Sequence, residues 1–207
     1  MISSYFLGVP YAADTLEPGG TGTEGLVIRL DAVDCFTFLD YVEAMRTAAS
    51  FDEFRETLRN IRYRDGQVHR RSRNHFFYDW KTRNGTRVED ITEAVGGVSV
   101  HRTRKHLNRK EDGSTWVDGV PGHEEEIVWI PSGTLAEYMI QQLKSGDYVG
   151  FYTEAEGLDV THVGIFIRSD SGEYLRHAST TRGRVVDQGF RTYTAEKPGI
   201  IIFRPRD

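Results

Sequence analysis

Three residues of this 207-residue chain could together perform nucleophilic chemistry: one cysteine and two histidines. Cys35 is the only cysteine, and it follows Asp34 at the point where a loop becomes an apolar helical segment. The positive end of a helix dipole favours a thiolate, so a cysteine at this position is a candidate nucleophile. The competing interpretation is an inert thiol, because free cysteines are among the most frequently buried residues.

Both candidate histidines lie in C-terminal segments with strand character. The loop between them, residues 168–173, has the Ser, Asp and Gly composition of a hairpin turn. A hairpin centred on this loop places Gly164 opposite His177, and His162 then lies diagonal to His177 on the same sheet face. The small Gly164 beside His162 also predicts room for a helix end or a ligand to approach closely.

A cysteine nucleophile needs a base within hydrogen-bond reach, and the base needs a group that orients it. We therefore predict Cys35 as the nucleophile, His162 as the base and His177 as the orienting residue. Asp159 is a lower-ranked alternative orienter, because the strand pattern leaves the face of its side chain open. Backbone N–H groups at the start of the cysteine helix would hold the oxyanion.

A zinc site built from one cysteine and two histidines is a weaker interpretation of the same residues. The sequence has no His-Glu-x-x-His helix and no paired cysteines, which are the usual zinc signatures. We predict neither a metal nor an organic cofactor.

The segments around these residues predict an α+β fold in a single domain, residues 1–207. Apolar residues recur with helical spacing after Cys35 and after Ser50, which predicts two amphipathic helices. Short strand-like segments follow at residues 127–131, 148–152, 160–167, 174–178, 184–187 and 200–203. Helices followed by strands indicate a helical layer on an antiparallel sheet. We interpret residues 67–83, rich in aromatics, and the charged residues 101–126 as insertions, the latter as a solvent-exposed excursion.

Composition excludes several functional classes. The formal charge of −5, from 26 basic and 31 acidic residues, does not resemble the basic footprint of a nucleic-acid-binding protein. No apolar run approaches the roughly 18 residues of a membrane span. The N-terminus lacks a signal peptide, so we expect either a cytoplasmic protein or an exported one that has lost its leader or uses another route. We expect a monomer.

Several segments, in their order along the chain, resemble the NlpC-type cell-wall cysteine peptidases of the papain-like superfamily. They are residues 7–11 (LGVPY), 34–38 (DCFTF), 162–167 (HVGIFI) and 177–179 (HAS). Residues 72–80 (SRNHFFYDW) and 157–162 (GLDVTH) resemble motifs of the amidase-like branch, known as domain of unknown function 1460. The resemblance covers nearly the whole chain.

The resemblance implies a papain-like α+β fold and hydrolysis of an amide bond in a peptidoglycan fragment. In this branch the expected bond joins N-acetylmuramic acid to L-alanine, in muropeptides that carry an anhydro-sugar. The superfamily alternative is a γ-D-glutamyl–diamino acid endopeptidase. Two further alternatives are a papain-like acyltransferase or thioesterase, and a non-catalytic module that binds glycan-peptide.

Site residues follow from the same motifs. Cys35, His162 and His177 occupy the catalytic positions. The residues that we expect to bind substrate are Tyr11, Asp34, Ser72, Arg73, His75 and Asp159. Arg73 suits a substrate carboxylate because its guanidinium is planar, although a surface salt bridge is an equal alternative. The sequence departs from the branch at residues 74–76, where an apolar residue followed by His-Tyr is expected, and this bears on substrate detail.

Overall fold

The structure is a computed structural model that describes residues 1–13, 15–16 and 24–206. The helices in these ranges are α1 (Cys35–Thr47), α2 (Phe51–Arg62), α3 (Phe77–Arg83), α4 (Thr92–Gly96), α5 (Glu137–Gln142) and α6 (Phe190–Ala195). Single 3-10 turns lie at Ile2–Phe6, Arg64–Gly66, Arg70–Ser72, Gly97–Ser99 and Ser132–Thr134. Among these helices, none has the length and apolar character needed to cross a membrane.

The strands form one antiparallel sheet. They are β1 (Val88–Asp90), β2 (His101–Leu107), β3 (His123–Pro131), β4 (Tyr148–Tyr152), β5 (Val160–Ser169), β6 (Gly172–Ser179), β7 (Arg184–Gly189) and β8 (Gly199–Pro205). Their order across the sheet is β2-β3-β8-β4-β5-β6-β7, and β1 pairs with β8 beside this path. N-terminal helices on a C-terminal antiparallel sheet confirm the predicted α+β class.

The two faces of the sheet carry separate apolar clusters. Side chains alternate along β5, so Val163 and Ile165 belong to the cluster that contains α1 and α2. Phe166, with Phe151 of β4, belongs to the opposite cluster beneath α5 and α6. On α1, Phe38 is fully buried, as the helical spacing after Cys35 predicts.

The hairpin register agrees with the sequence. Ile165 lies opposite Arg176, and Phe166 lies opposite Leu175. This is the pairing that a turn centred within residues 168–173 requires. The turn composition alone therefore located His162 and His177 relative to each other.

Residues 101–126 differ from the predicted excursion, because β2 and the first four residues of β3 fall within this range. The two strands pair so that Arg104 lies opposite Glu126 and Lys105 opposite Glu125. Opposite charges directly across an antiparallel pair stabilise it, so the two charge runs complement each other as strands. Lys105 is also buried, which an excursion into solvent would not produce.

The aromatic run within residues 67–83 forms part of the core. Phe77 and Trp80 of α3 are fully buried, and the Phe77 ring stacks on Phe203 of β8 with centroids 4.3 Å apart. The aromatic density that is unusual for a loop is therefore explained by packing.

Candidate active site

Cys35 is the first residue of α1, and Asp34 fixes the start of that helix. The Asp34 carboxylate accepts hydrogen bonds from the Phe36 and Thr37 N–H groups, each at 2.8 Å. The Thr37 hydroxyl in turn accepts a hydrogen bond from the Asp34 N–H at 3.0 Å. The second carboxylate oxygen accepts from the Thr15 hydroxyl at 3.1 Å. Asp34 is thus an N-cap that holds the cysteine backbone in one position.

The predicted histidine pair is present. The Nε2 atom of His162 lies 2.7 Å from the Nδ1 atom of His177, and the Nε2 atom of His177 lies 3.4 Å from the Oε1 atom of Gln188. If His177 donates to Gln188, its Nδ1 is an acceptor and His162 donates from Nε2. His162 is then left with an unprotonated Nδ1, which is the form that a general base requires.

Gln188 is a functional candidate that the sequence analysis missed. It is the fifth residue of β7, whose predicted range ended at residue 187. Val186 lies opposite His177, so strand alternation puts Gln188 on the face of His177. Extending that strand by one residue would have predicted this contact.

The thiol of Cys35 meets the strand that carries the base. The Val163 amide lies near enough to the sulfur to lower the pKa of the thiol, and Val163 follows His162 in the chain. Cys35 and His162 also line the same small cavity, of about 80 Å³. A β-bulge lies beside it, because Phe151 pairs with His162 and the next residue of β4 pairs with Val160. Such bulges redirect side chains next to active sites.

Electrostatics favour a neutral thiol and a neutral imidazole in the free protein. Burial and the Asp34 carboxylate raise the pKa of Cys35 to about 12, against the lowering effect of the Val163 amide and the amides at the helix start. Burial and the positive charges of His177 and Lys197 lower the pKa of His162 to about 3. The direction of the Cys35 pKa shift is opposite to the one that the helix dipole alone favours, because desolvation outweighs the helix amides.

This balance predicts the pH dependence of alkylation. Because a raised thiol pKa leaves little thiolate at neutral pH, the iodoacetamide rate of the substrate-free protein should rise steadily above pH ~8.5, the value of a free thiol. The rate is measured by mass spectrometry, and Cys35 is the only cysteine that can react. A rate plateau between pH 5 and 7 would instead indicate a resting thiolate–imidazolium pair.

A larger cavity, of about 340 Å³, opens on the other side of Cys35. Four of the six residues predicted to bind substrate line it: Tyr11, Asp34, Arg73 and His75. Asp159 lines the smaller cavity instead. Ser72, which ends the 3-10 turn Arg70–Ser72, lines neither of these two cavities.

Two basic residues of the larger cavity have protein partners. Arg73 Nη1 lies 3.3 Å from Glu24 Oε1, and both side chains are largely buried. Arg73 therefore has a protein carboxylate as a partner, in a buried salt bridge and not in the surface one of the alternative. His75 Nε2 lies 2.7 Å from the Arg70 carbonyl oxygen, and burial lowers the pKa of His75 to about 4. His75 lines both cavities, so it lies between them.

Asp159 is buried and bonded away from the histidine pair. Its carboxylate accepts from the Tyr78 N–H at 2.7 Å and from the Val160 N–H at 2.8 Å. Tyr78 is the second residue of α3, so Asp159 satisfies a donor at the start of that helix. Burial raises the pKa of Asp159 to about 6. These contacts favour His177 over Asp159 as the orienting residue.

Gly164 permits the close approach of β5 and β6 at the histidine pair. A Cβ added at Gly164 would lie 2.7 Å from Leu175 Cδ1, 2.9 Å from the Arg176 carbonyl oxygen and 3.0 Å from His177 Cβ. The room expected for a helix or a ligand is therefore filled by the neighbouring strand.

This contact makes a substitution at Gly164 informative. We expect Gly164→Ala to displace His177 from His162 and to lower kcat/KM by about ten- to hundredfold, because small misplacements of catalytic groups have effects of that size. Gly133→Ala is the matched control, since an added Cβ at Gly133 meets nothing within 4 Å. Equal kcat/KM values for the two variants would contradict the prediction.

Metal ligation was the weaker interpretation of these residues. Within the described ranges, no group of three or more His, Cys, Asp and Glu side chains is arranged to hold a metal ion.

The chain is similar to known proteins in both sequence and structure. A family model described as N-acetylmuramoyl-L-alanine amidase-like matches residues 1–200. A search of curated proteins finds no significant match. An N-acetylmuramoyl-L-alanine amidase from Bacteroides uniformis is 28% identical with a TM-score of 0.82, and the match covers 99% of this chain and 96% of that one.

Two further solved structures are similar. A Bacteroides fragilis protein with a provisional xylanase assignment is 27% identical with a TM-score of 0.80, over 98% of each chain. A Legionella pneumophila protein of the DUF1460 family has a TM-score of 0.85 at 22% identity, over 100% of this chain and 87% of that one, and it shows the shared fold. Since the family model spans nearly the entire sequence, the chain belongs to the N-acetylmuramoyl-L-alanine amidase-like family.

Proposed function

We propose that this protein is a cysteine amidase that hydrolyses the bond between N-acetylmuramic acid and L-alanine in peptidoglycan fragments. Family membership and the amidase from Bacteroides uniformis support an enzyme that acts on peptidoglycan. Cys35 is the nucleophile, His162 the base and His177 the residue that orients the base.

One observation carries the proposal. The His162–His177 contact of 2.7 Å uses Nε2 of His162, which leaves Nδ1 for a second partner. Cys35 and His162 line the same small cavity, and the amide that follows His162 lowers the pKa of the Cys35 thiol. A nucleophile, a base and an orienting group in this order are the arrangement of acyl-transfer enzymes.

The first step starts from the neutral pair. His162 Nδ1 takes the proton of Cys35 as the sulfur attacks the amide carbonyl carbon, so thiolate forms only as the bond to carbon forms. The positive charge then develops on His162, and the contact with His177 keeps the ring in place. His162 returns the proton to the nitrogen of L-alanine, the C–N bond breaks, and a thioester with the lactyl group of muramic acid remains. Water, deprotonated by His162, hydrolyses that thioester.

Of the backbone N–H groups at the start of the cysteine helix that we expected to hold the oxyanion, one is assigned this role. The Phe36 and Thr37 N–H groups are already bonded to Asp34, so they do not point freely at a substrate. Among the first three N–H groups of α1, the Cys35 N–H is the one without a partner in the described residues. We assign it to the oxyanion, where a fixed donor has the largest electrostatic effect.

Glycoside hydrolysis, suggested by the provisional xylanase assignment of one similar structure, fits the site less well. It requires two carboxyl groups on either side of the scissile bond. The carboxylates beside Cys35 are Asp34 and Asp159, and both are bonded to backbone N–H groups. Both carboxylates are therefore engaged by amides at helix starts rather than placed on either side of a bond to be cleaved.

Product analysis tests the proposal. Defined muropeptides with either an anhydro-sugar or a reducing sugar are incubated with the protein, and the products are identified by mass spectrometry. We expect a free peptide with L-alanine at its N-terminus and a peptide-free sugar, formed faster from the anhydro-muropeptide. Cleavage between D-glutamate and the diamino acid would indicate the endopeptidase of the same superfamily, and transfer to an added amine would indicate an acyltransferase.

A further inference from the structure

Tyr193 of α6 packs against both histidines of the candidate site. Its ring centroid lies 4.9 Å from that of His177, 5.9 Å from that of His162 and 4.8 Å from that of Phe151. Phe151 in turn stacks on His162 at 6.3 Å. The histidine pair is therefore enclosed by two aromatic rings on the face of the sheet that carries α6.

Lys197 covers the tyrosine from outside. Its ammonium nitrogen lies 4.9 Å from the Tyr193 ring centroid, a distance typical of a cation–π contact. The backbone of Lys197 is held in the turn after α6, because its N–H donates to the Thr194 carbonyl oxygen at 3.0 Å. The ammonium thus lies close enough to the two imidazoles to lower the pKa of each.

We propose that Tyr193, with the Lys197 ammonium over its ring, is a positioning residue that holds the His162–His177 pair in place and shields it from water. This inference rests on the proposed function, since it assigns Tyr193 to the same catalytic pair. Tyr193 acts through the histidines, and the proposal gives its hydroxyl no proton to transfer.

The charges around the pair determine the sign of the pH effect. Lys197 lowers the pKa of both imidazoles, while Asp187 of β7 raises that of His177. Cys35 of α1 lines the same small cavity as His162, and Glu196 lies near the Tyr193 hydroxyl and raises its pKa. Removing the lysine charge should therefore raise the pKa of both histidines. Removing the tyrosine ring should do the same, because water would then stabilise the imidazolium.

Two readouts test the inference: imidazole titration by NMR and the pH profile of kcat/KM. For Tyr193→Ala we expect kcat to fall about tenfold or more with KM nearly unchanged, as for a misplaced base. The pKa of His162 and the acid limb of the profile should both move to higher pH. Tyr193→Phe keeps the ring and should retain wild-type values within about threefold, an effect below 1 kcal/mol.

The Lys197→Met variant removes the positive charge and leaves the aromatic packing in place. It should move the histidine pKa values and the acid limb upward, and the loss of kcat at the optimum pH should be smaller than that of Tyr193→Ala. The controls are Tyr138→Ala, at an exposed tyrosine of α5, and Lys144→Met. In both controls the pKa values of His162 and His177 should equal those of the wild type.

Three results would overturn the inference. They are unchanged histidine pKa values in Tyr193→Ala, an equal loss of activity in Tyr193→Phe, or a downward pKa shift in Lys197→Met. The NMR titration does not depend on catalysis, so shifted histidines in a protein without amidase activity would reject the proposed function and retain the role of Tyr193.

Discussion

Cys35→Ala is expected to lower kcat/KM for muropeptide cleavage by about 10⁴-fold or more, because loss of a covalent nucleophile removes the acyl-enzyme route altogether. Alanine is a good helix former, and the Asp34 cap that holds the helix start makes no bond to the cysteine side chain. The fold should therefore persist. The measurement is the rate of peptide release from anhydro-muropeptide, with circular dichroism and thermal unfolding as checks on folding.

Cys35→Ser should be similarly inactive, since a hydroxyl is a weaker acid and a weaker nucleophile than a thiol in a site built around the larger sulfur. His162→Gln should lower kcat/KM by about 10²- to 10⁴-fold, the usual contribution of a general base. His101→Gln, at an exposed histidine of β2, is the matched control and should retain full activity. Wild-type activity in both Cys35 variants would reject the cysteine mechanism.

Arg62→Met is expected to reduce the free energy of unfolding by about 3–5 kcal/mol, the range for a buried ion pair that loses one partner. Arg62 Nε lies 2.8 Å from Asp40 Oδ2, and the two side chains are 1% and 2% exposed. The other Asp40 oxygen accepts from the Trp80 indole N–H at 3.0 Å, and Arg62 also donates to the Val27 carbonyl at 2.7 Å. The substitution would leave the Asp40 carboxylate buried without a counter-ion.

The measurement is urea-induced unfolding, compared with a control on the same helix. Arg59→Met removes the exposed ion pair with Glu56, and exposed pairs contribute about 1 kcal/mol or less. The double variant Asp40→Asn with Arg62→Met should recover part of the stability, because it leaves no isolated charge. A loss for Arg62→Met no larger than for Arg59→Met would contradict the prediction. Since both Asp40 and Arg62 line the larger cavity, this pair links core stability to the shape of the candidate substrate site.

Local sequence patterns accounted for the parts of the site that lie close together in the chain. The helical spacing after Cys35 predicted α1, because one amphipathic face must be buried. The composition of one short turn fixed the register of β5 and β6, because in a tight hairpin the turn determines every pair that follows. The positions of His162 and His177 followed from that register.

Two features near the site depended on contacts between distant segments. The Asp159 carboxylate accepts a hydrogen bond from the Tyr78 N–H. Strand periodicity does not predict this contact, so it could not decide between His177 and Asp159 as the residue that orients His162. The buried Lys105 donates to the Ala155 and Leu158 carbonyls at 2.9 Å each, so one residue of a charged run holds the loop before β5. No local pattern predicts which lysine is buried, because burial depends on what packs above it.

The sequence by itself determined the fold class, the cysteine helix, the register of the histidine hairpin and the family. The tertiary structure decided which groups are already bonded and which are desolvated. It assigned the Asp34 carboxylate to the helix cap, added Gln188 and Tyr193 to the histidine pair, and reversed the expected pKa direction of Cys35. The physical reason is that spacing along a chain specifies neighbours within one element, whereas desolvation and hydrogen-bond partners are set by all the elements that meet at a point.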